Sequence, residues 1–173
     1  MKLIEKLRAE KAGIIEDWQK LIFNSYLEDG SIFFKSQQNK FQNPVGHTIS
    51  NRLVTIFERL LESSDMDLIR TDLDDIIHIR SVQDFSPSEA IGFTLGLKGI
   101  IRSRLSSFLK NKSEFDELTA FENRIDHLSL LAFDLYVGCR EKIYEIKANE
   151  VKRKYFKLLD RSGFIDPERA DGK

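Results

Sequence analysis

The chain of 173 residues has one cysteine, Cys139, three prolines and nine glycines, and its formal net charge is -1. Each shortage excludes something. A single cysteine forbids an internal disulfide framework and fits a reducing compartment. No apolar run approaches the roughly 18–20 residues of a membrane span. The opening "MKLIEKLRAEKAGII" is broken by charge too often to be the apolar centre of a signal peptide. These absences together predict a cytoplasmic protein. Near-neutral charge argues against nucleic acid as the main partner, which a basic domain would serve. What is present is 41% hydrophobic and 32% charged, the make-up of a soluble globular domain long enough to bury a real core.

Sparse proline and glycine leave long stretches free to be helical, and apolar residues recur in them at three- and four-residue spacing. The expected fold class is therefore all-α, a helical bundle. A first helix is expected from Lys2 to Tyr26, with Leu3, Leu7, Ile14, Ile15, Trp18, Leu21 and Ile22 as its buried stripe. The stretch "LEDGSIFFKSQQNKFQ" loses periodicity and reads as a connection whose Ile32, Phe33, Phe34 and Phe41 pack down on the bundle. Asn43 as cap and Pro44 at the first helical position open a second helix. Its inward face is Ile49, Leu53, Ile56, Phe57, Leu60 and Leu61. A third starts at Asp65 or Asp67 and turns Leu68, Leu73, Ile76, Ile77 and Ile79 inward. Ser86, Pro87 and Glu89 form the capping box of a fourth, from Pro87 to about Lys110.

From Glu114 to Ser162 there is no proline and only Gly138 as a weak point. One helix on the order of 70 Å long is predicted, against a domain core of about 30 Å, so the helix is expected to project or to pair with another chain. Its first half is densely apolar: Phe115, Leu118, Phe121, Ile125, Leu128, Leu131 and Leu135. Its second half carries the thinner seam of Ile143, Ile146, Val151, Tyr155, Leu158 and Leu159, the pattern of a coiled coil or a docking helix. Residues 1–162 are read as one all-helical domain and residues 163–173 as a flexible tail.

Chemistry-bearing motifs are scarce. His47, His78 and His127 lie far apart with no second ligand at helical spacing, so no metal site is predicted. His127 sits among leucines, out of any phosphotransfer context. Cys139 lies in a helix with no adjacent base, and there is no Gly-x-Ser-x-Gly turn. Gly92, Gly96 and Gly99 fall in a helix and make no phosphate loop. No catalytic residue and no cofactor is expected. Gly92 and Gly96 have two readings: they let another helix approach closely, or they leave room for a small ligand. The basic run "EVKRKYFKLLDR" is diluted by Glu150 and Asp160 and reads as a solvated helix flank. Arg80, Gln83 and Asp84 share a helix face, with Arg80 and Asp84 placed to pair. They are either a latch at a helix junction or the lining of a ligand-sensing pocket, and if buried they must be hydrogen-bonded.

Four stretches carry a resemblance: "FQNPVGHTI", "IIHIRSVQDFSPSEAI", "LGLKGIIR" and "LAFDLYVGCREKIYEIKANEVKRKYFKLLDR". From Phe41 to about Arg161 the chain resembles the N-terminal domain family of the RsbRD-type RsbT co-antagonists, its short stand-alone members especially. The resemblance implies an all-helical sensory input domain, similar in shape to the globin-like, haem-free sensor domains of stressosome proteins. Such domains feed a signal down a C-terminal helix into a STAS or kinase module. It also implies candidate ligand or signalling positions: Asn43, Pro44, His47, Arg80, Gln83 and Asp84, then Pro87, Ser88, Lys98, Asp134, Arg140 and Glu141. No output module is read after "LLDRSGFIDPERADGK". The expected function is thus a non-enzymatic sensory or regulatory domain, a homodimer that contacts a separate output protein and takes an unidentified small ligand. Neither nucleic acid binding nor membrane insertion is expected. The alternative is a constitutive helical adaptor for a membrane-associated redox complex.

Overall fold

A computed structural model describes residues 2–26, 43–63, 65–83 and 85–161. Among the described residues there are six α-helices and no strand: α1 (Lys2–Ala9), α2 (Lys11–Asn24), α3 (Pro44–Glu62), α4 (Asp67–Val82), α5 (Pro87–Arg104) and α6 (Lys112–Arg161). The fold is all-α, and the long C-terminal helix is present. The connection holding Ile32, Phe33, Phe34 and Phe41 lies outside the described residues, as do Asp84 and the tail 163–173. The chain divides into two compact units, Met1–Val137 and Gly138–Lys173.

Three caps set where helices of the first unit begin. Asn43 Oδ1 accepts from the Gly46 N–H at 2.8 Å, with Pro44 at the first helical position. The Asn43 side chain fills the space a Cβ on residue 46 would take, so glycine there makes room for the cap. At α5, Ser86 Oγ accepts from the Glu89 N–H and Glu89 Oε2 accepts from the Ser86 N–H, the predicted capping box. Asn111 and Glu114 repeat the device. Asn111 Oδ1 accepts from the Glu114 N–H at 3.0 Å, and Glu114 Oε2 accepts from the N–H groups of Lys110 and Asn111. This second reciprocal cap starts α6 at Lys112, two residues before the expected Glu114. Caps of this kind contribute about 1 kcal/mol each.

Within the first unit, α3 packs on α4, α2 packs on α3 and α5, and α4 also meets α5. The core takes Leu3 and Leu7 from α1, Trp18 and Ile22 from α2, Leu53 and Phe57 from α3, Leu73 and Ile77 from α4, Leu97 and Ile101 from α5, and Ile125 and Leu128 from α6. Each is 0% exposed, and full burial of such a side chain contributes about 1.5–3 kcal/mol. All six inward positions predicted for α3 are buried. Polar bonds tie α6 down. Thr94 Oγ1 donates to Ser129 Oγ at 2.9 Å, Arg124 Nη1 to the Leu60 carbonyl at 2.8 Å, and Tyr136 Oη to the Phe85 carbonyl at 2.9 Å. Arg102 grips Glu122 through two bonds of 2.6 and 2.7 Å.

The structure departs from sequence expectation at several points. The first helix is interrupted at Glu10 (φ -89°, ψ 2°). The Glu10 N–H still bonds the Lys6 carbonyl and the Ile14 N–H still bonds the Glu10 carbonyl. The break is a local departure from helical backbone angles within one hydrogen-bonded run, at a polar position between the apolar steps Leu7 and Ile14. Helix α5 stops at Arg104 rather than near Lys110. Ser106 and Ser107 follow, and serine competes for backbone hydrogen bonds in ways that favour turns. The turns let Leu105, Phe108 and Leu109 pack on the core. Leu21, Leu68 and Phe115 are exposed rather than buried, and Ile69 takes the inward place predicted for Leu68.

In the second unit α6 continues as helix to Arg161. From Glu141 onward every described residue except Ile143 is exposed. Among the described residues no helix is long and apolar enough to cross a membrane.

Candidate functional site

Arg80 stands in the last turn of α4. Gln83 then leaves the helix in extended conformation (φ -87°, ψ 158°), and the capped start of α5 follows within a few residues. This tight junction folds α5 back over the Arg80 side chain, which is 0% exposed. Its Nε donates to the Ala90 carbonyl at 2.9 Å, and its Nη2 donates to the Glu89 carbonyl at 2.7 Å and to Ser25 Oγ at 3.0 Å. The guanidinium carbon lies 4.2 Å from the Phe85 ring centroid, 5.2 Å from that of Tyr26 and 5.8 Å from that of Phe93. One side chain thus ties together the end of α2, the end of α4 and the first turn of α5.

The electrostatics follow from burial. Loss of solvent pulls the Arg80 pKa below its ordinary value, opposed by the Tyr26 phenol and the Glu89 carboxylate. Burial pushes the Tyr26 phenol up, opposed by the Arg80 charge. Guanidinium remains protonated across any accessible pH, so the junction encloses a fixed cation. Among the described residues, Arg80 Nη1 and Gln83 Oε1 are buried without a hydrogen-bond partner, and no carboxylate makes an ion pair with Arg80. Native interiors satisfy the large majority of such groups.

Beside Arg80 lies a cavity of about 210 Å³. Leu21, Ser25, Arg80, Ser88, Gly92 and Phe93 line it. Glu89 also borders it, but its carboxylate is engaged in the capping box with Ser86, and those bonds hold it below the usual carboxylate pKa. The two readings of the glycines separate here. A Cβ on Gly96 would run into the Leu21 side chain, so Gly96 serves close approach of α2. A Cβ on Gly92 would meet nothing within 4 Å, so Gly92 opens space.

Of the sequence-predicted positions, Arg80 and Ser88 come together at the cavity, with Gln83 and Pro87 in the junction beside them. Asp84, and with it the expected Arg80–Asp84 pair, lies outside the described residues. Asn43 and Pro44 form the α3 cap. His47 shares a 2.9 Å hydrogen bond with Asn51 on the same helix. Lys98 pairs with Asp126 at 2.5 Å. Asp134 is exposed on α6. In the second unit Arg140 donates to Tyr144 Oη at 3.0 Å and Glu141 is exposed. The sequence reading missed Ser25, Tyr26 and Leu21 as site residues. They sit at the far end of another helix, where no local pattern links them to Arg80. Gly92 did carry a signal, as a glycine inside a helix with no turn to serve.

The family model of the RsbT co-antagonist protein RsbRD N-terminal domain matches residues 12–151. No curated protein and no solved structure matches the chain. The match takes in the Arg80 junction, the glycine-bearing α5 and most of α6, and by its extent the chain belongs to the RsbT co-antagonist protein RsbRD N-terminal domain family.

Proposed function

We propose that the chain is a non-enzymatic regulatory input domain, similar in role to the RsbR-type input domains of the stressosome, that works in the cytoplasm by contact with another protein. Family membership supports the regulatory class. The observation that carries the contact is the face of α6 in the second unit. Tyr144, Ala148, Val151, Tyr155 and Leu158 alternate by four and three residues, and all five are exposed. That spacing makes one stripe on a helix and is the seam of a coiled coil. An isolated helix is marginal in water, and its apolar seam gains most of its stability from packing.

Charge says what kind of partner fits. Arg140, Lys147, Lys154 and Arg161 recur every seven residues along one flank of the seam. In a parallel pairing with a second copy, Arg140 would face Glu145, but Lys147 would face Lys152, a like-charge contact that costs stability. A partner helix with an acidic flank meets the basic row without that conflict. A homodimer through the same seam is the competing arrangement. The test is site-specific photo-cross-linking from position 152 in the native cell, with sedimentation of the purified protein alongside. A stoichiometric heterologous partner, lost in the Val151→Lys, Leu158→Lys double variant, supports the proposal. Cross-links only to itself, with matching concentration-dependent self-association, replace the partner by a homodimer. No cross-link and a monomer at every concentration defeat both.

A further inference from the structure

The fold uses fewer of Arg80's donors than the residue has. A guanidinium offers five N–H groups. Three are taken, by Ala90, Glu89 and Ser25, and Nη1 has no hydrogen-bond partner among the described residues. Burial is the largest influence on this cation, and Tyr26 is the titratable side chain that most opposes it. The first turn of α5, which forms another wall of the cavity, presents the positive end of a helix dipole. A cation and a helix start thus border one pocket whose remaining walls, Leu21, Gly92 and Phe93, are apolar.

We propose that this cavity binds a small monocarboxylate with a short hydrocarbon body, its carboxylate on Arg80 and its body against Leu21, Gly92 and Phe93. Size fits: an engineered cavity of about 150 Å³ holds benzene, and this one is about 210 Å³. Charge fits a monoanion rather than phosphate. Among the described residues one buried cation borders the cavity, and the Glu89 carboxylate at the border opposes a second negative charge. The route is through Ser25 and Ser88, both exposed at the cavity. Ser25 Oγ holds one Nη2 N–H and also donates to the Ile22 carbonyl at 2.6 Å. A carboxylate oxygen that replaces it on Nη2 is a stronger acceptor, because charge-assisted bonds are about twice as strong as neutral ones. That exchange releases the end of α2 from the Arg80 junction, so binding alters the tie between three helices. As the signal of the regulatory domain proposed above, the assignment rests on that reading.

The test is isothermal titration of the full chain with butyrate and benzoate, against butyramide and inorganic phosphate. Both carboxylates are expected to bind, with butyramide and phosphate at least tenfold weaker. Gly92→Leu, which grows into open space, should weaken carboxylate binding at least tenfold while the melting temperature holds. Ser25→Ala removes the competing acceptor and should tighten binding. Butyramide binding as well as butyrate, phosphate binding in place of carboxylate, or Gly92→Leu binding undiminished would overturn the assignment, as would no binding at all. Carboxylate binding that leaves the cross-linked partner unchanged would keep the site and remove the regulatory reading.

Discussion

Replacing Arg80 separates what its volume does from what its charge does. Arg80→Ala empties a fully buried position ringed by Tyr26, Phe85 and Phe93. Large-to-small core changes of this kind cost about 2–5 kcal/mol. The three lost hydrogen bonds add less than their number implies. The Glu89 and Ala90 carbonyls lie in the first turns of α5 and keep their helical N–H donors, and the Ser25 hydroxyl still donates to Ile22. None of the acceptors is orphaned, so the penalty for an unmade bond is mostly avoided. Removing a buried cation that has no ion-paired carboxylate among the described residues also relieves part of its desolvation cost. The balance predicts about 2–4 kcal/mol for Arg80→Ala. Arg80→Met keeps most of the volume and gains sulfur–aromatic contacts, so it should cost only about 1–2 kcal/mol. Urea unfolding followed by far-UV circular dichroism measures both, with the m-value as a check on the unfolded state. Thermal melts should fall by about 2–4 °C per kcal/mol at this chain length. If the methionine variant is as unstable as the alanine variant, the junction depends on charge and the volume argument fails. If alanine costs under about 1 kcal/mol, Arg80 is no latch at all.

The other predictions use the same measurements. Gly92→Ala should stabilise the protein by about 0.4–1 kcal/mol, because alanine suits a helix interior and its Cβ meets nothing. Gly96→Ala should lose that gain, since Leu21 must leave its rotamer at about 0.5–1.5 kcal/mol; equal effects at the two positions would contradict the packing of α2 on α5. Trp18→Phe removes the 2.8 Å bond from Nε1 to the Phe93 carbonyl and should cost about 1–2 kcal/mol in urea unfolding. Hydrogen bonds from Lys110 and Asn111 hold Glu114 below the ordinary carboxylate pKa of 4.5. A depressed folded pKa stabilises above the unfolded value, and that stability is lost as pH falls through the folded one. Glu114→Gln should therefore melt below wild type at pH 7, and the gap should close as pH drops below 4.5; a gap that persists at low pH would show that the cap does not work through charge.

Much of this protein was legible in its residue order because helices are local. Caps declared themselves at Asn43 and at Ser86 with Glu89, since each bond spans only three residues. The Asn111–Glu114 cap has the same local form, its bonds spanning three or four residues. Stripes at three- and four-residue spacing named the α3 core completely, and the absence of proline after Glu114 marked the length of α6. The errors came where local pattern is ambiguous: Leu68 and Ile69 are adjacent, and only the packing of α4 on α3 chooses which turns inward.

The cavity is the part that tertiary structure decided. Arg80 and Ser88 are close in the chain, but Ser25 lies 55 residues from Arg80 and bonds it all the same. Whether a helical glycine serves close packing or empty space depends on what stands opposite it. Leu21 stands opposite Gly96 and nothing stands opposite Gly92, a difference that no spacing within α5 encodes. Hydrogen bonds along a helix repeat with the chain and can be read from it. The fit of one helix against another depends on distances between residues far apart in sequence, and those exist only once the helices have packed.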